Sequence, residues 1–453
     1  MDINQDPSAI ASADQELPMS TQLFGIESEW ALINHGELVS NSQFWMCMRS
    51  YDGSLLAVER FYVDHADVNG FWAPYVGTLR DANSLYNFAK SQKDTCYQSI
   101  AGIIIAQNWA FLTDCFGDIP CSEAFKYPTI LKPKFDTQAE VYATVFNYLD
   151  EAITLLSDLK YSTVGADDYI YKGDMSKWLK LAYSMRARYN MRLSYAPSHT
   201  TTAQADLVLA DLTNGISSSD DEAIFVHVAG TKSRGYYAYL QESDYSSGLV
   251  ASPYIIDQLE TLNDPRLPIY FQTDAMGGYS GWIQGMSSGT TNKPSLANYN
   301  RITDMYPETF MNFREVLFLK AEAYVLKSDF VNAEDAFQDA VTYSMKAEGV
   351  SDADIATYLA QFTFPSNVEQ AQELVINQKY LAAYLTNTEP LFDYLRTGYP
   401  NFGDFTQYML DPYNTNTCPV RLPYPLIEMD RNPENVPTVA NIFTSKLWWD
   451  TKP

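Results

Sequence analysis

Residues 312–349, NFREVLFLKAEAYVLKSDFVNAEDAFQDAVTYSMKAEG, constrain the fold more tightly than any other stretch of the chain. Leu317, Ala321 and Tyr324, then Ala333, Phe337 and Ala340, recur at helical steps on either side of a break at Ser328-Asp329. The small Ala321 and Ala333 let two antiparallel helices approach closely, and Tyr324 and Phe337 fill the seam between them. This spacing is that of a tetratricopeptide repeat, a unit that cannot bury its apolar face alone and is stable only in a stack of about three or more. Further helical pairs are therefore expected elsewhere.

Candidates appear in order. A helical pattern starts at Trp72, with Trp72, Tyr75, Val76, Leu79 and Asn83 at three- and four-residue steps. A second helix covers about 96–115. A third opens at Thr137, where Thr137-x-x-Glu140 fits a capping box, and continues through Val141, Val145, Leu149, Ile153 and Leu156. Helices at about 176–194 and 203–213 follow, the latter stopped by Asn214-Gly215. Another begins near Ser366, where Ser366-x-x-Glu369 fits a second capping box. Between 216 and 304 Gly, Ser, Thr and Tyr dominate, with one short helix signal at about 252–262; a loop this long is usually functional. The expected architecture is mainly α, a tetratricopeptide-like scaffold of helical pairs over about 72–215 and 312–400. Loop-rich elements at about 1–71, 216–311 and 401–453 form an irregular, ligand-facing half, all within one domain, 1–453. The last 50 or so residues, rich in Pro and aromatics, are expected to wrap the surface.

The net charge of −26, from 56 acidic and 30 basic residues, repels phosphate backbones and argues against nucleic acid as a partner. No apolar run reaches the ~18–20 residues of a membrane span; residues 101–112 come closest, interrupted by Gln107 and Asn108. MDINQDPSAI has neither the basic start nor the apolar run of a signal peptide.

Chemistry-bearing motifs are sparse. Cys115 and Cys121 flank a Gly117-Asp118-Ile119-Pro120 turn, which leaves open a metal site, a local disulfide or plain buried thiols. The four histidines, His35, His65, His199 and His227, stand singly, without an HxxxH or HExxH. GMSSG at 285–289 matches GxSxG in form but lacks the strand before and helix after that a nucleophile elbow needs. No GxGxxG or Walker motif supports a nucleotide, and no cofactor or metal is expected. A hydrolase would need two carboxylates across a cleft, which spacing in sequence does not reveal.

Aromatic residues make up 14% of the chain, with 33 Tyr, more phenols than a core needs, so some must serve the surface. Tyr236, Tyr237, Tyr239, Tyr245, Tyr279 and Trp282 lie in Gly/Ser-rich sequence away from helical spacing. Flat rings with polar edges suit the C–H faces and hydroxyl rims of sugars. Equally, they could be anchors that pin long loops to the scaffold. Trp45, from the N-terminal region, joins them as a candidate, whereas Trp72 and Tyr75 read as core.

Six segments, in order, carry a resemblance: LTDCFGDIPCSEAF, DMSKWLKLAYSMRARYNMRLS, NDPRLPIYF, EVLFLKAEAYVL, INQKYLAAYLTNTEPLFDYLRTGYP and RLPYPLIEMDRNPENVP, spanning about 110–437. Together they resemble the SusD/RagB family of outer-membrane nutrient-binding lipoproteins of Bacteroidetes. The resemblance implies a non-enzymatic, lipid-anchored protein on the extracellular face of the outer membrane. Its partner would be a SusC-like TonB-dependent transporter, to which it passes captured glycans. Peptide capture on the same architecture is the alternative, and a glycoside hydrolase a more distant one. A signal segment and lipidated cysteine would then stand upstream of Met1. Within the cysteine-bearing loop, Gly117 and Pro120 carry the resemblance, whereas the family usually has other residues at Cys115 and Cys121.

Overall fold

The computed structural model describes residues 17–35, 37–51, 58–227, 237, 249–286, 293–303 and 305–452, with backbone alone for 33–35 and 37–40. Two helices, α1 (Met19–His35) and α2 (Glu37–Trp45), precede the expected scaffold. Then follow α3 (Thr78–Gln92), α4 (Thr95–Phe116), α5 (Gln138–Ser157), α6 (Met175–Arg192) and α7 (Thr201–Leu212). After the loop region come α8 (Pro253–Thr261), α9 (Leu267–Tyr270), α10 (Phe313–Leu326) and α11 (Phe330–Ala347). The chain continues through α12 (Asp352–Leu359), α13 (Val368–Ala382), α14 (Glu389–Thr397) and α15 (Leu426–Arg431). Among the described residues there are two small antiparallel ladders, Arg49–Ser50 with Val250–Ala251 and Ala223–Phe225 with Glu308–Met311.

Local chemistry sets the helix ends. Thr137 accepts the Glu140 N–H while the Glu140 carboxylate accepts the Thr137 N–H, so the expected capping box forms. The second box does not: Asn367, not Ser366, caps α13, its side chain accepting from the N–H groups of Glu369 and Gln370. The helix expected from Trp72 begins later. Asn69–Tyr75 is a 3₁₀ turn containing Pro74, and α3 starts only after Gly77. A Cβ on Gly77 would fall inside the Glu29 carboxylate, so the chain breaks where α1 crosses it.

Successive helices pack on one another: α3 on α4, α4 on α5, α5 on α6, α6 on α7, α7 on α10, and α10 on both α11 and α13. Ala321 and Ala333 are wholly buried and Phe337 is 2% exposed, with Tyr324 packed beside them, the seam read from the sequence. By length and composition α4 could cross a membrane, but it is buried along its whole apolar window inside the protein. Its interrupting polar residues are accommodated: Asn108 donates to the Ile104 carbonyl and Gln107 accepts the Trp30 indole N–H at 2.6 Å.

Where α4, α6, α10, α13 and α14 meet, ion pairs replace apolar packing. Arg188 is bidentate on Glu315 at 2.6 and 2.7 Å. Arg192 contacts Glu389 at 2.8 Å and Asp114 at 3.2 Å. Arg396 is bidentate on Glu322 at 2.7 and 2.8 Å and reaches Asp393 at 3.0 Å, and Lys379 pairs with Asp393 at 2.7 Å. Five carboxylates thus share four cations, and burial pushes Asp114 up to about 6 against the pull of Arg192.

The C-terminal region does more than wrap. Leu447 and Trp449 are 2% and 0% exposed, and the Trp449 indole N–H reaches Asp114 in the last turn of α4.

Candidate functional site

The cysteine-bearing loop is architecture. Gly117 ends α4 with φ of +79°, a left-handed conformation that favours glycine, and donates its N–H to Thr113 O. Ile119 bridges Asp136, whose carboxylate accepts the N–H groups of Cys121 and Ser122 and the Ser122 hydroxyl. All five cysteines are free thiols. Burial raises Cys115 well above the usual thiol range and, with Asp136 nearby, takes Cys121 to about 12, so neither is an activated thiolate. Among the described residues no cluster of His, Cys, Asp and Glu could hold a metal.

The candidate platform rings are placed differently from one another. Trp282 is 7% exposed; its backbone N–H donates to Ala251 O, and Gly281 beside it is pressed against Ser252–Pro253, where no side chain would fit. Tyr237 is 2% exposed, edge-on to Tyr306 and under the Arg49 guanidinium. Tyr279 is half-buried against the core. Trp45 is 4% exposed, and its indole N–H donates to Val58 O. Exposure was the reason for singling these rings out. Burial corrects it for Trp45, Tyr237 and Trp282, whose rings pin loops to the scaffold. Tyr236, Tyr239 and Tyr245 lie outside the described residues, as do residues 287–289 of GMSSG.

The loops meet around an open cleft of about 390 Å³, the size range of small-molecule sites. Three further cavities, each about 20 Å³, hold no more than a water. Phe61, Val63, Asp64 and His65 form one wall of the cleft; Tyr413 and the 439–443 segment form the other. Tyr413 is 61% exposed, the feature that makes it a platform. Its ring is stacked on Phe443 at 5.3 Å and 12°, and meets Tyr62 edge-on at 5.2 Å. Rings held this way keep a fixed face toward solvent.

The site is braced from beneath. Phe61, fully buried, has φ of +73°, a strained conformation for a bulky residue and of the kind that collects at ligand sites. Its ring sits edge-on to Trp45 and Phe405. Trp45 therefore contributes from behind the cleft rather than within it. Arg60 donates to the carbonyls of Leu410 and Asp411 and lies over Tyr62, while Tyr413 N–H donates to Arg60 O. Gln284 adds a third segment: its N–H donates to Tyr408 O, its carbonyl accepts from Leu410 N–H, and its side chain donates to Glu59 O.

Sequence reasoning missed Tyr62, His65, Tyr413 and Phe443. The available signals were FYVDHAD, aromatic and acidic outside any helical period, and DPYNTNT, a ring among turn formers. Neither is distinctive alone, because the cleft forms only when 61–65 and 413–443 come together.

A SusD-like family model, described as starch-binding and associating with the outer membrane, matches residues 14–425. Among solved structures, a SusD/RagB family protein from Bacteroides thetaiotaomicron superposes with a TM-score of 0.79 at 23% identity, covering 96% of this chain and 99% of that one. A SusD homolog from Bacteroides vulgatus gives 0.80 at 21%, covering 95% and 97%. A chitin-binding protein gives 0.79 at 23%, covering 96% and 100%. No curated protein matches the chain.

Proposed function

The chain belongs to the SusD/RagB family, and on that premise we propose that it is a glycan-binding protein whose ligand lies in the Tyr413 cleft. The observation that carries this reading is the Tyr413 ring, 61% exposed yet held against Phe443 and Tyr62 at a cleft of about 390 Å³, large enough for a sugar. A sugar stacked on such a ring buries its C–H face while its hydroxyls meet the rim formed by Asp64, His65 and Asn441. The family description as starch-binding and the chitin-binding relative support a carbohydrate ligand.

In this reading the protein is lipid-anchored on the outer face of the outer membrane, acts as one ligand-binding unit, and hands glycan to a TonB-dependent transporter. It is a binder rather than a hydrolase: Asp64 is the one carboxylate in the lining of the cleft, whereas most glycosidases need two facing the scissile bond.

Native affinity electrophoresis through gels containing dextran, hydroxyethylcellulose, glycol chitosan and other polysaccharides tests the proposal, with Tyr413→Ala run alongside. Retardation by a polymer, lost in the variant, is the expected result. Equal retardation of the variant would move the site elsewhere on the protein.

A further inference from the structure

The polar side chains that line the cleft are Asp64, His65, Tyr413 and Asn441. His65 Nδ1 lies 2.6 Å from the Tyr424 carbonyl oxygen. A carbonyl only accepts, so Nδ1 carries the hydrogen, and Nε2 is the ring nitrogen left to meet a ligand. Asp64 accepts the N–H groups of Ala66 and Asp67 on Oδ1, and Oδ2 remains available. Asn441 has its Oδ1 taken by Phe443 N–H, which leaves its amide as a donor, and the Tyr413 hydroxyl can both donate and accept.

No lysine or arginine lines the cleft. Arg60, next in sequence to Phe61, is turned away toward the carbonyls of Leu410 and Asp411. Two more carboxylates stand close by: Asp67, which accepts the Asp64 N–H, and Asp411, which accepts the Tyr62 hydroxyl at 3.4 Å. Ligand hydroxyls or ammonium groups therefore find partners here. A ligand carboxylate or sulfate finds no lysine or arginine to pair with and meets the Asp64 carboxylate, in a protein whose net charge is already −26.

Resting on the glycan reading of this cleft, we propose that it selects neutral and amino-bearing glycans and excludes acidic ones, with Asp64 as the residue that sets this specificity. Bulk charge alone would give a weak, salt-screened preference. A carboxylate inside the cleft gives a local one that a single substitution removes.

The test uses polymers paired by backbone in affinity gels: dextran against dextran sulfate, and hydroxyethylcellulose against carboxymethylcellulose, with glycol chitosan as the amino polymer. Site binding is the retardation that Tyr413→Ala abolishes. The expected result is site binding to a neutral or amino member and at least about tenfold weaker binding to its acidic counterpart. Asp64→Asn should recover most of that difference, and Asp352→Asn, which removes the same charge from a remote exposed helix, should not. Acidic and neutral members bound alike would overturn the inference, as would Asp352→Asn matching Asp64→Asn. Absence of Tyr413-dependent retardation by every polymer would instead overturn the glycan reading on which the inference rests.

Discussion

The indole N–H of Trp449 donates to Asp114 Oδ1 at 2.7 Å across 335 residues of sequence. It fastens the C-terminal segment to the last turn of α4, beside the Tyr142 hydroxyl on the same oxygen. Trp449→Phe keeps an aromatic ring but removes the donor and part of the indole volume, so it should cost about 1–3 kcal/mol, while Trp449→Ala, which opens a larger cavity, should cost about 3–5 kcal/mol. Urea unfolding midpoints read both. An unchanged midpoint for Trp449→Phe would mean that the hydrogen bond contributes nothing net.

Asp114 makes stability depend on pH in an unusual direction. Burial, opposed by Arg192, holds it at about 6 when folded, above its ordinary value of 3.8. The folded state therefore binds the proton more tightly. This contribution is fully present below 3.8 and is lost as pH rises through about 6. The melting temperature should be higher near pH 5 than at pH 7, by an amount reflecting on the order of 2 kcal/mol. Asp114→Asn should flatten that slope, and a slope unchanged in the variant would assign it to another group.

Glu348 behaves oppositely. Burial alone would raise it, but Arg301 and Arg314 prevail and hold it at about 2, below the ordinary 4.5. Its stabilisation is present above 4.5 and lost as pH falls toward 2. Glu348→Gln leaves two half-buried guanidinium groups short of a carboxylate and should cost about 2–3 kcal/mol at pH 7. Acid unfolding followed by circular dichroism should also become shallower between pH 4.5 and 2 in the variant.

Trp282 and Tyr413 should separate structure from binding. Trp282, 7% exposed, should lose about 3–5 kcal/mol of stability on change to Ala. Tyr413→Ala, with 61% of the residue already exposed, should leave the melting temperature nearly unchanged and abolish polysaccharide retardation. Paired thermal melts and affinity gels decide it, and a large stability loss for Tyr413→Ala would recast that ring as an anchor.

The thiols should be silent in the native protein. Four of the five are buried and Cys121 is half-buried, with its thiol pushed up to about 12. A disulfide reagent at pH 8 should modify none within minutes, and all five on unfolding in urea. Rapid stoichiometric labelling of native protein would contradict the burial described for the 115–121 loop.

The helical half was legible because its signals are local. Thr137 and Glu140 cap each other three residues apart, and Ala321 and Ala333 mark a close helix crossing within one hairpin. Where two local signals competed, at Ser366 and Asn367, either side chain could have capped, and spacing alone did not choose between them. The helices Met19–His35 and Glu37–Trp45 were missed because scattered aromatics hid their period. Nothing local in the sequence pairs Arg188 with Glu315 or Arg192 with Glu389, which meet only when α6, α10 and α14 come together. The cleft was least legible of all. Tyr62, Tyr413 and Phe443 come from segments some 350 residues apart, and nothing in either segment names the other. Ring-rich loop sequence pointed instead to Trp282 and Tyr237, which spend their apolar area on anchoring.

Gln284 joins three strands of chain at one point, through Tyr408, Leu410 and Glu59. The recognition loops are therefore not independent cassettes. An insertion in any one of them would have to preserve the crossing at Gln284. Transplanting specificity from a relative would succeed only if the segments around 58–67, 280–286 and 405–445 were exchanged as one piece.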